Sequence, residues 1–145
     1  MHDKRIAATS AQKARQSTEF VPHNPTDGVY AATDDYVHAM EVQGAGRLLF
    51  VSGAMGLDPA GKPGAGPEEQ LDLIWSNIRT IGASADMTVD NVVRLTSCLR
   101  DPAYAEADAA ARTSALGGRR VPTTAIAATT LDDDWLVEIE VIAAG

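Results

Sequence analysis

Hydrophobic positions along the chain follow two different spacings, and the first of them predicts strands. Five stretches are rich in the β-branched and apolar residues that favour extended structure, namely Tyr36–Val42, Arg47–Gly53, Asn91–Arg100, Thr123–Thr129 and Trp135–Ala144. The tetrapeptide QGAG between the first two stretches predicts a tight turn, so we expect these two strands to form a β-hairpin.

Two further stretches have the spacing of amphipathic helices. Pro67 and the two glutamates after it predict a helix start, because proline suits the first turn and carboxylates favour the positive end of a helix. From there to about residue 85, apolar residues recur every three or four positions, at Leu71, Ile74, Trp75, Ile78, Ile81 and Ala85. A second, alanine-rich helix is predicted over Ala103–Leu116, where two glycines end it.

The resulting order, β-β-α-β-α-β-β, predicts a single α+β domain. Two helices cannot cover both faces of the sheet, and we therefore expect both helices to pack on one face. In the last strand Glu138 and Glu140 alternate with apolar residues, and their carboxylates therefore point away from the helices. A partly apolar, partly acidic face without helices predicts a surface between subunits that contains a pocket.

The charge balance narrows the possible partners. The chain has 145 residues, enough for one domain with its own core, and a formal net charge of -8. Nucleic acid is not expected as a partner, because binding to phosphates needs clustered lysine and arginine. The single cysteine, Cys98, permits no internal disulfide and favours a reducing compartment.

The first 20 residues are polar and small, which predicts a flexible N-terminal tail before a domain over residues 21–145. They lack the apolar segment of a signal peptide, and no run in the chain reaches the roughly 18–20 apolar residues of a membrane span. We therefore expect a cytoplasmic protein without membrane contact. The histidines and Cys98 show no metal-ligand spacing, so neither a metal site nor another cofactor is expected.

Five segments carry a family resemblance: YVHAMEV, LLFVSGAMGLDPAGK, NVVRLTSCLRDPAYAEADAAA, RRVPTTAIAA and VEIEVIAA. Together they cover about Tyr36–Ala144, and they resemble the Rid family, the YjgF-like reactive intermediate deaminases. The resemblance implies a chorismate-mutase-like fold with a mixed sheet. It also implies a homotrimer that binds small molecules in clefts between its subunits.

A reaction and a set of site residues follow from the same resemblance. Active family members bind a small 2-imino or 2-enamino acid in the cleft and hydrolyse it to a 2-oxo acid and ammonia. The residues that match the family's site positions are Tyr36, Ser52, Gly53 and Glu138. Of these, Ser52 and Glu138 are predicted to be catalytic, with Glu138 as the general acid/base or as the group that places the attacking water.

Three substrate-binding positions depart from the family pattern. Its arginine falls at Thr124, a frequent cysteine at Ile126, and an asparagine at Ala109. An arginine offers a carboxylate two charge-assisted hydrogen bonds of about 1.5–3 kcal/mol each, whereas a threonine offers one neutral bond of about 0.5–1.5 kcal/mol. Affinity for a carboxylate should therefore fall by at least about tenfold. Arg119 and Arg120 lie about 13–17 Å away along an extended segment, so only a neighbouring subunit could supply either.

Three functions are compatible with this pattern. The first is hydrolysis of imines or enamines with release of ammonia, with a substrate range altered at Thr124. The second is another reaction in the same cleft, such as tautomerisation, cyclisation or addition. The third is a non-catalytic trimer that binds a metabolite or a partner protein.

Overall fold

The computed structural model describes residues 17–145. The strands are β1 (Glu19–His23), β2 (Ala39–Gln43), β3 (Leu48–Met55), β4 (Val92–Leu99), β5 (Thr123–Ala127) and β6 (Val137–Ala144), and the helices are α1 (Pro67–Ala83) and α2 (Ala105–Ala115). Short 3-10 turns precede β4 and α2. Every predicted element is present in the predicted order, so the α+β prediction is confirmed.

Two sheets are formed, and their pairing differs from the prediction at one point. The larger sheet is mixed and has the order β3-β6-β4-β5, in which only β4 and β5 run parallel. The predicted hairpin between β2 and β3 is wrong, because β2 pairs with β1. The strand β3 pairs with the C-terminal strand β6 instead. Arg47 and Gly145 extend this pairing with reciprocal backbone hydrogen bonds of 2.9 and 3.1 Å.

The strand β1 was not predicted, and it overlaps the end of the predicted tail at Glu19 and Phe20. Residues 1–16 of that tail lie outside the described residues. The sequence EFVPH is short, contains a proline and follows a polar stretch, so its strand character is weak. Its partner β2 is followed by Gly44, whose φ of 71° suits glycine and where a Cβ would lie 2.9 Å from the Ser17 carbonyl oxygen.

The apolar stripe of α1 packs against one face of the four-stranded sheet. From α1 this core receives Leu71, Ile74, Trp75 and Ile78, and from the sheet Val51, Leu95, Leu99, Val137, Ile139 and Val141. The stripe is one turn shorter than predicted, because α1 ends at Ala83 and Ile81 remains 41% exposed. At this end a Cβ on Gly82 would lie 3.2 Å from the Met87 carbonyl oxygen, so the glycine permits close backbone packing.

Helix α2 packs on the same face through buried polar side chains. The hydroxyl of Ser97 on β4 donates to Asp108 over 3.0 Å, and both residues are almost fully buried. Burial raises the pKa of the Asp108 carboxyl above its ordinary value. One turn later Arg112 donates to Asp35 over 2.7 Å. This ion pair holds the segment before β2 against α2, and the opposite sheet face is left without helices.

The start of β6 is positioned by the side chain of Gln70 on α1, which is 2% exposed. Its amide nitrogen donates to the carbonyl oxygens of Gly64 and Asp134, over 3.0 and 2.8 Å. Its amide oxygen accepts from the backbone nitrogen of Leu136 over 2.9 Å. One buried side chain therefore connects the loop before α1 with the turn that leads into β6, the strand that carries both glutamates of the open face.

Candidate functional site

The sheet face without helices, called the open face below, has a mixed chemistry. Alternation along the strands places on it Phe50 and Ser52 of β3, Arg94, Thr96 and Cys98 of β4, Thr124 and Ile126 of β5, and Glu138, Glu140 and Ile142 of β6. Phe50 is 70% exposed and Ile126 is 48% exposed in the single chain. Apolar and ionisable side chains thus share one accessible surface, as the alternation in the last strand predicts.

A cavity of about 450 Å³ lies on the open face across β3, β6 and β4. Its lining side chains include Phe50, Ser52, Arg94, Thr96, Glu140 and Ile142. Of the sequence-predicted residues, Ser52 lines this cavity directly. The carboxylate in its wall is that of Glu140, which the sequence analysis did not place among the site residues.

Glu138 lies two residues from Glu140 on the same face and makes close contact with Gly53. It is paired with Met55 of β3 and with Cys98 of β4. A Cβ placed on Gly53 would lie only 2.6 Å from the carboxylate oxygen Oε1 of Glu138. Gly53 is therefore the residue that leaves room for this carboxylate, and two of the predicted site residues meet.

Cys98 has its thiol close to the two carboxylates of the open face. Burial raises the pKa of this thiol, and the negative charges of Glu138 and Glu140 raise it further. The thiol is therefore protonated at neutral pH. These effects disfavour the thiolate, which is the nucleophilic form of cysteine.

Thr124 has an arginine beside it, although not from its own strand. Nη2 of Arg94 on β4 donates to the Thr124 hydroxyl oxygen over 2.6 Å. The sequence analysis missed Arg94, since it searched for a replacement only in the segment that leads into β5. The available signal was the alternation in β4, where Arg94, Thr96 and Cys98 fall on the face opposite the buried Leu95 and Ser97.

Arg119, one of the two arginines considered as replacements, has a structural role. Its guanidinium donates to the carbonyl oxygens of Val89 and Val92, over 2.8 and 2.9 Å, and lies 5.8 Å above the ring of Phe20. It therefore holds the 3-10 turn and the start of β4 next to β1. Its side chain does not line the cavity of the open face within its own chain.

The other predicted residues are distributed unevenly. Ile126 lies on the open face beside Cys98 in the parallel register, whereas Tyr36 lies before β2 with its ring edge-on to His38 at 5.8 Å. Ala109 is on α2, which packs on the opposite side of the sheet. Within one chain, the structure thus brings Ser52, Gly53, Glu138, Thr124 and Ile126 onto one face, and of these Ser52 alone lines the cavity. Tyr36 and Ala109 lie away from it.

Two further properties concern the described residues alone. Between residues 17 and 145, no three His, Cys, Asp or Glu side chains are grouped as the ligands of a metal ion would be. In the same range, every helix is too short or too polar to cross a membrane.

These features define an α+β protein with a cavity of small-molecule size on the open face of a mixed sheet. The family model described as endoribonuclease L-PSP matches residues 27–145. The chain therefore belongs to the endoribonuclease L-PSP family, which is also known as the Rid or YjgF family, and the resemblance identified in the sequence is confirmed. Comparison with curated proteins gives no significant match.

Solved structures agree with this assignment. YyfB from Yersinia pestis, described as a protein of unknown function of the conserved Rid family, is 24% identical, with a TM-score of 0.73 over 87% of this chain and 98% of that chain. RidA from the Antarctic bacterium Psychrobacter sp. PAMC 21119 is 24% identical, with a TM-score of 0.66 over 84% and 98%. The protein YJGH is 31% identical, with a TM-score of 0.62 over 75% and 82%. The first two similarities show that the fold is shared.

Proposed function

We propose that the open face hydrolyses small imines or enamines to a carbonyl compound and ammonia. The observation that carries this proposal is the meeting of Ser52, Gly53 and Glu138 on one face. These are three of the positions at which the sequence matches the family's site. They lie next to a cavity of about 450 Å³, a volume typical of sites for small ligands.

Glu138 is proposed to handle the protons of this reaction. A water molecule attacks the carbon of the protonated imine while the Glu138 carboxylate accepts one of its protons, which gives a neutral carbinolamine. The protonated carboxyl then returns this proton to the nitrogen, and the carbon–nitrogen bond breaks. As the carbonyl forms, the carboxylate takes the proton of the carbinolamine hydroxyl and passes it to the departing ammonia, which leaves as ammonium. The Ser52 hydroxyl in the cavity wall donates a hydrogen bond to the substrate. The reaction consumes only the substrate and one water molecule.

The open face is also proposed to be the contact surface of a homotrimer. Leu48, Phe50 and Ile126 are 60%, 70% and 48% exposed in the single chain, and exposed apolar side chains that share one face favour a contact surface. Contact with a second copy would cover these side chains and close the cavity from above. Tyr36 and Ala109 correspond to site positions in the family resemblance but do not line the cavity of their own chain, and we propose that they complete the cavity of a neighbouring subunit.

Cleavage of RNA, which the name of the family model suggests, is less compatible with this surface. The chain has a formal net charge of -8, and two carboxylates, Glu138 and Glu140, lie on the open face. A phosphate backbone would be repelled there, because RNA binding relies on clustered positive charge. A small substrate with one or two charges fits the same surface better.

The wild-type protein should accelerate the decay of 2-iminopropionate, generated in solution from alanine by an amino acid oxidase. The imine that remains is trapped with semicarbazide, and ammonia and pyruvate are measured in parallel. We expect decay at least about 100-fold faster than in buffer, within the usual contribution of a positioned acid/base, with ammonia and pyruvate formed in equal amounts. An RNA oligonucleotide incubated with the same preparation should remain intact.

Decay of the imine at the rate of the buffer would contradict the proposed hydrolysis. Loss of the imine without ammonia would instead favour the second enzymatic function, tautomerisation or addition. Binding of pyruvate without any turnover would favour the non-catalytic trimer.

A further inference from the structure

We infer that Arg94 is the residue that binds the substrate carboxylate, in place of the arginine that the chain lacks at Thr124. The inference rests on the proposed function, because it names a substrate class for the same cavity. Thr124 is then a positioning residue for Arg94 and not itself the carboxylate-binding group. The substrates are small 2-imino acids that carry a negative carboxylate and a positively charged nitrogen.

The Arg94 guanidinium lies at the place where the family's arginine would be expected. Arg94 lines the cavity, and its Nη2 atom lies 2.6 Å from the hydroxyl oxygen of Thr124. The family's arginine would project from that same position on β5. The side chain of Arg94 therefore delivers its guanidinium to the place where the expected one is absent, from the neighbouring strand of the same subunit.

Arg94 has guanidinium donors left over for a ligand. A guanidinium has five N–H donors in a planar fork, and the bond to Thr124 is the one hydrogen bond that Arg94 makes through its side chain to described residues. Arg94 also forms no ion pair with any carboxylate between residues 17 and 145. A half-buried arginine in a cavity wall, with donors to spare, is suited to bidentate binding of a carboxylate.

The same cavity contains a group of opposite charge, the carboxylate of Glu140. Thr124 is paired with Thr96, and Thr96 is paired with Glu140, so these residues form a row across β5, β4 and β6. Strands are about 4.8 Å apart, so the backbones at Thr124, where the guanidinium lies, and at Glu140 are separated by roughly 10 Å. A small imino acid spans this gap with its carboxylate towards Arg94 and its protonated nitrogen towards Glu140. Ile142 and Phe50 provide apolar surface for a short side chain.

Binding of pyruvate, the stable 2-oxo product of 2-iminopropionate, isolates the carboxylate contact from catalysis. Titration calorimetry with wild-type protein and with Arg94→Gln should show at least about tenfold weaker binding for the variant. Arg94→Lys keeps the charge but loses the fork, so its loss should be smaller. The doubly substituted protein with Arg94→Thr and Thr124→Arg moves the guanidinium back to β5 and should bind pyruvate to within a few-fold of wild type.

Two matched controls make the result specific. Pyruvamide lacks the negative charge, so its affinity should be weak and should change little between wild type and Arg94→Gln. Arg120→Gln removes an exposed arginine that a neighbouring subunit could supply, and it should leave pyruvate binding unchanged. Glu140→Gln should raise the KM for 2-iminopropionate without weakening the binding of pyruvate, which has no positive nitrogen.

Unchanged pyruvate binding by Arg94→Gln would overturn the inference, and a loss confined to Arg120→Gln would assign the contact to Arg120. If Arg94→Gln does not fold, Arg94→Lys and the doubly substituted protein decide the question. Wild-type protein that binds pyruvate through Arg94 but does not release ammonia would refute the proposed hydrolysis alone. Ammonia release with binding independent of Arg94 would refute this inference alone.

Discussion

Replacement of Glu138 by glutamine should lower turnover of 2-iminopropionate by roughly 10²–10⁴-fold, the usual contribution of a positioned acid/base. Glutamine keeps the shape of the side chain beside Gly53 but cannot accept a proton from the attacking water. The loss should therefore appear in kcat, while the affinity for pyruvate and the melting temperature stay close to those of wild type. Steady-state rates of ammonia release and a thermal denaturation curve measure these quantities.

Two companion variants separate this role from a general effect of lost charge. Glu106→Gln removes an exposed carboxylate from α2, on the other side of the sheet, and should retain wild-type kcat. Gly53→Ala would place a Cβ 2.6 Å from the Glu138 carboxylate oxygen, so it should displace this group and also reduce kcat. Full activity of Glu138→Gln would show that this carboxylate is structural, and catalysis on the open face would then rest on Ser52 and other groups.

A single charge on the open face should dissociate the proposed trimer. Phe50 is 70% exposed in the single chain, and the proposed assembly buries it between subunits. Phe50→Asp would bury an unpaired carboxylate there, which costs several kcal/mol unless the contact opens. In sedimentation velocity at micromolar concentration, wild-type protein should sediment as a species of three 15.2 kDa chains, and the variant as a monomer.

The matched control for that experiment is Leu131→Asp. Leu131 is 95% exposed in the turn between β5 and β6, outside the open face, so the same change of chemistry should leave the trimer intact. Wild-type protein that sediments as a single 15.2 kDa chain would contradict the proposed assembly. Tyr36 and Ala109 would then have no route to the cavity.

Local patterns predicted the elements of this fold well but did not predict how the strands pair. The alternation of Glu138 and Glu140 with apolar residues places both carboxylates on the face without helices, as expected. The predicted hairpin between β2 and β3 is wrong because turn residues alone do not determine which strands pair. In the structure, β2 pairs with the short strand β1, and β3 pairs with the C-terminal strand β6. Pairing over long sequence separations depends on tertiary contacts that a local pattern does not contain.

The same limit explains why Arg94 was missed. A family motif relates positions along the chain, so the missing arginine was sought near Thr124 in sequence. In the structure, Arg94 and Thr124 are 30 residues apart and meet because β4 and β5 are parallel neighbours. A guanidinium on a long side chain can reach the same point in space from either strand. On the proposed assignment, the carboxylate-binding guanidinium has moved from β5 to β4 and occupies the same place in the site.

A crystal structure of the protein grown with pyruvate tests most directly the claim that the open face is the reaction site. The account predicts three subunits around a threefold axis, with pyruvate in the cavity. Its carboxylate should lie within hydrogen-bond distance of the Arg94 guanidinium, with its carbonyl carbon facing Glu138 and Ser52. Pyruvate bound outside the open face, or a subunit contact that fills the cavity with protein side chains, would contradict the account.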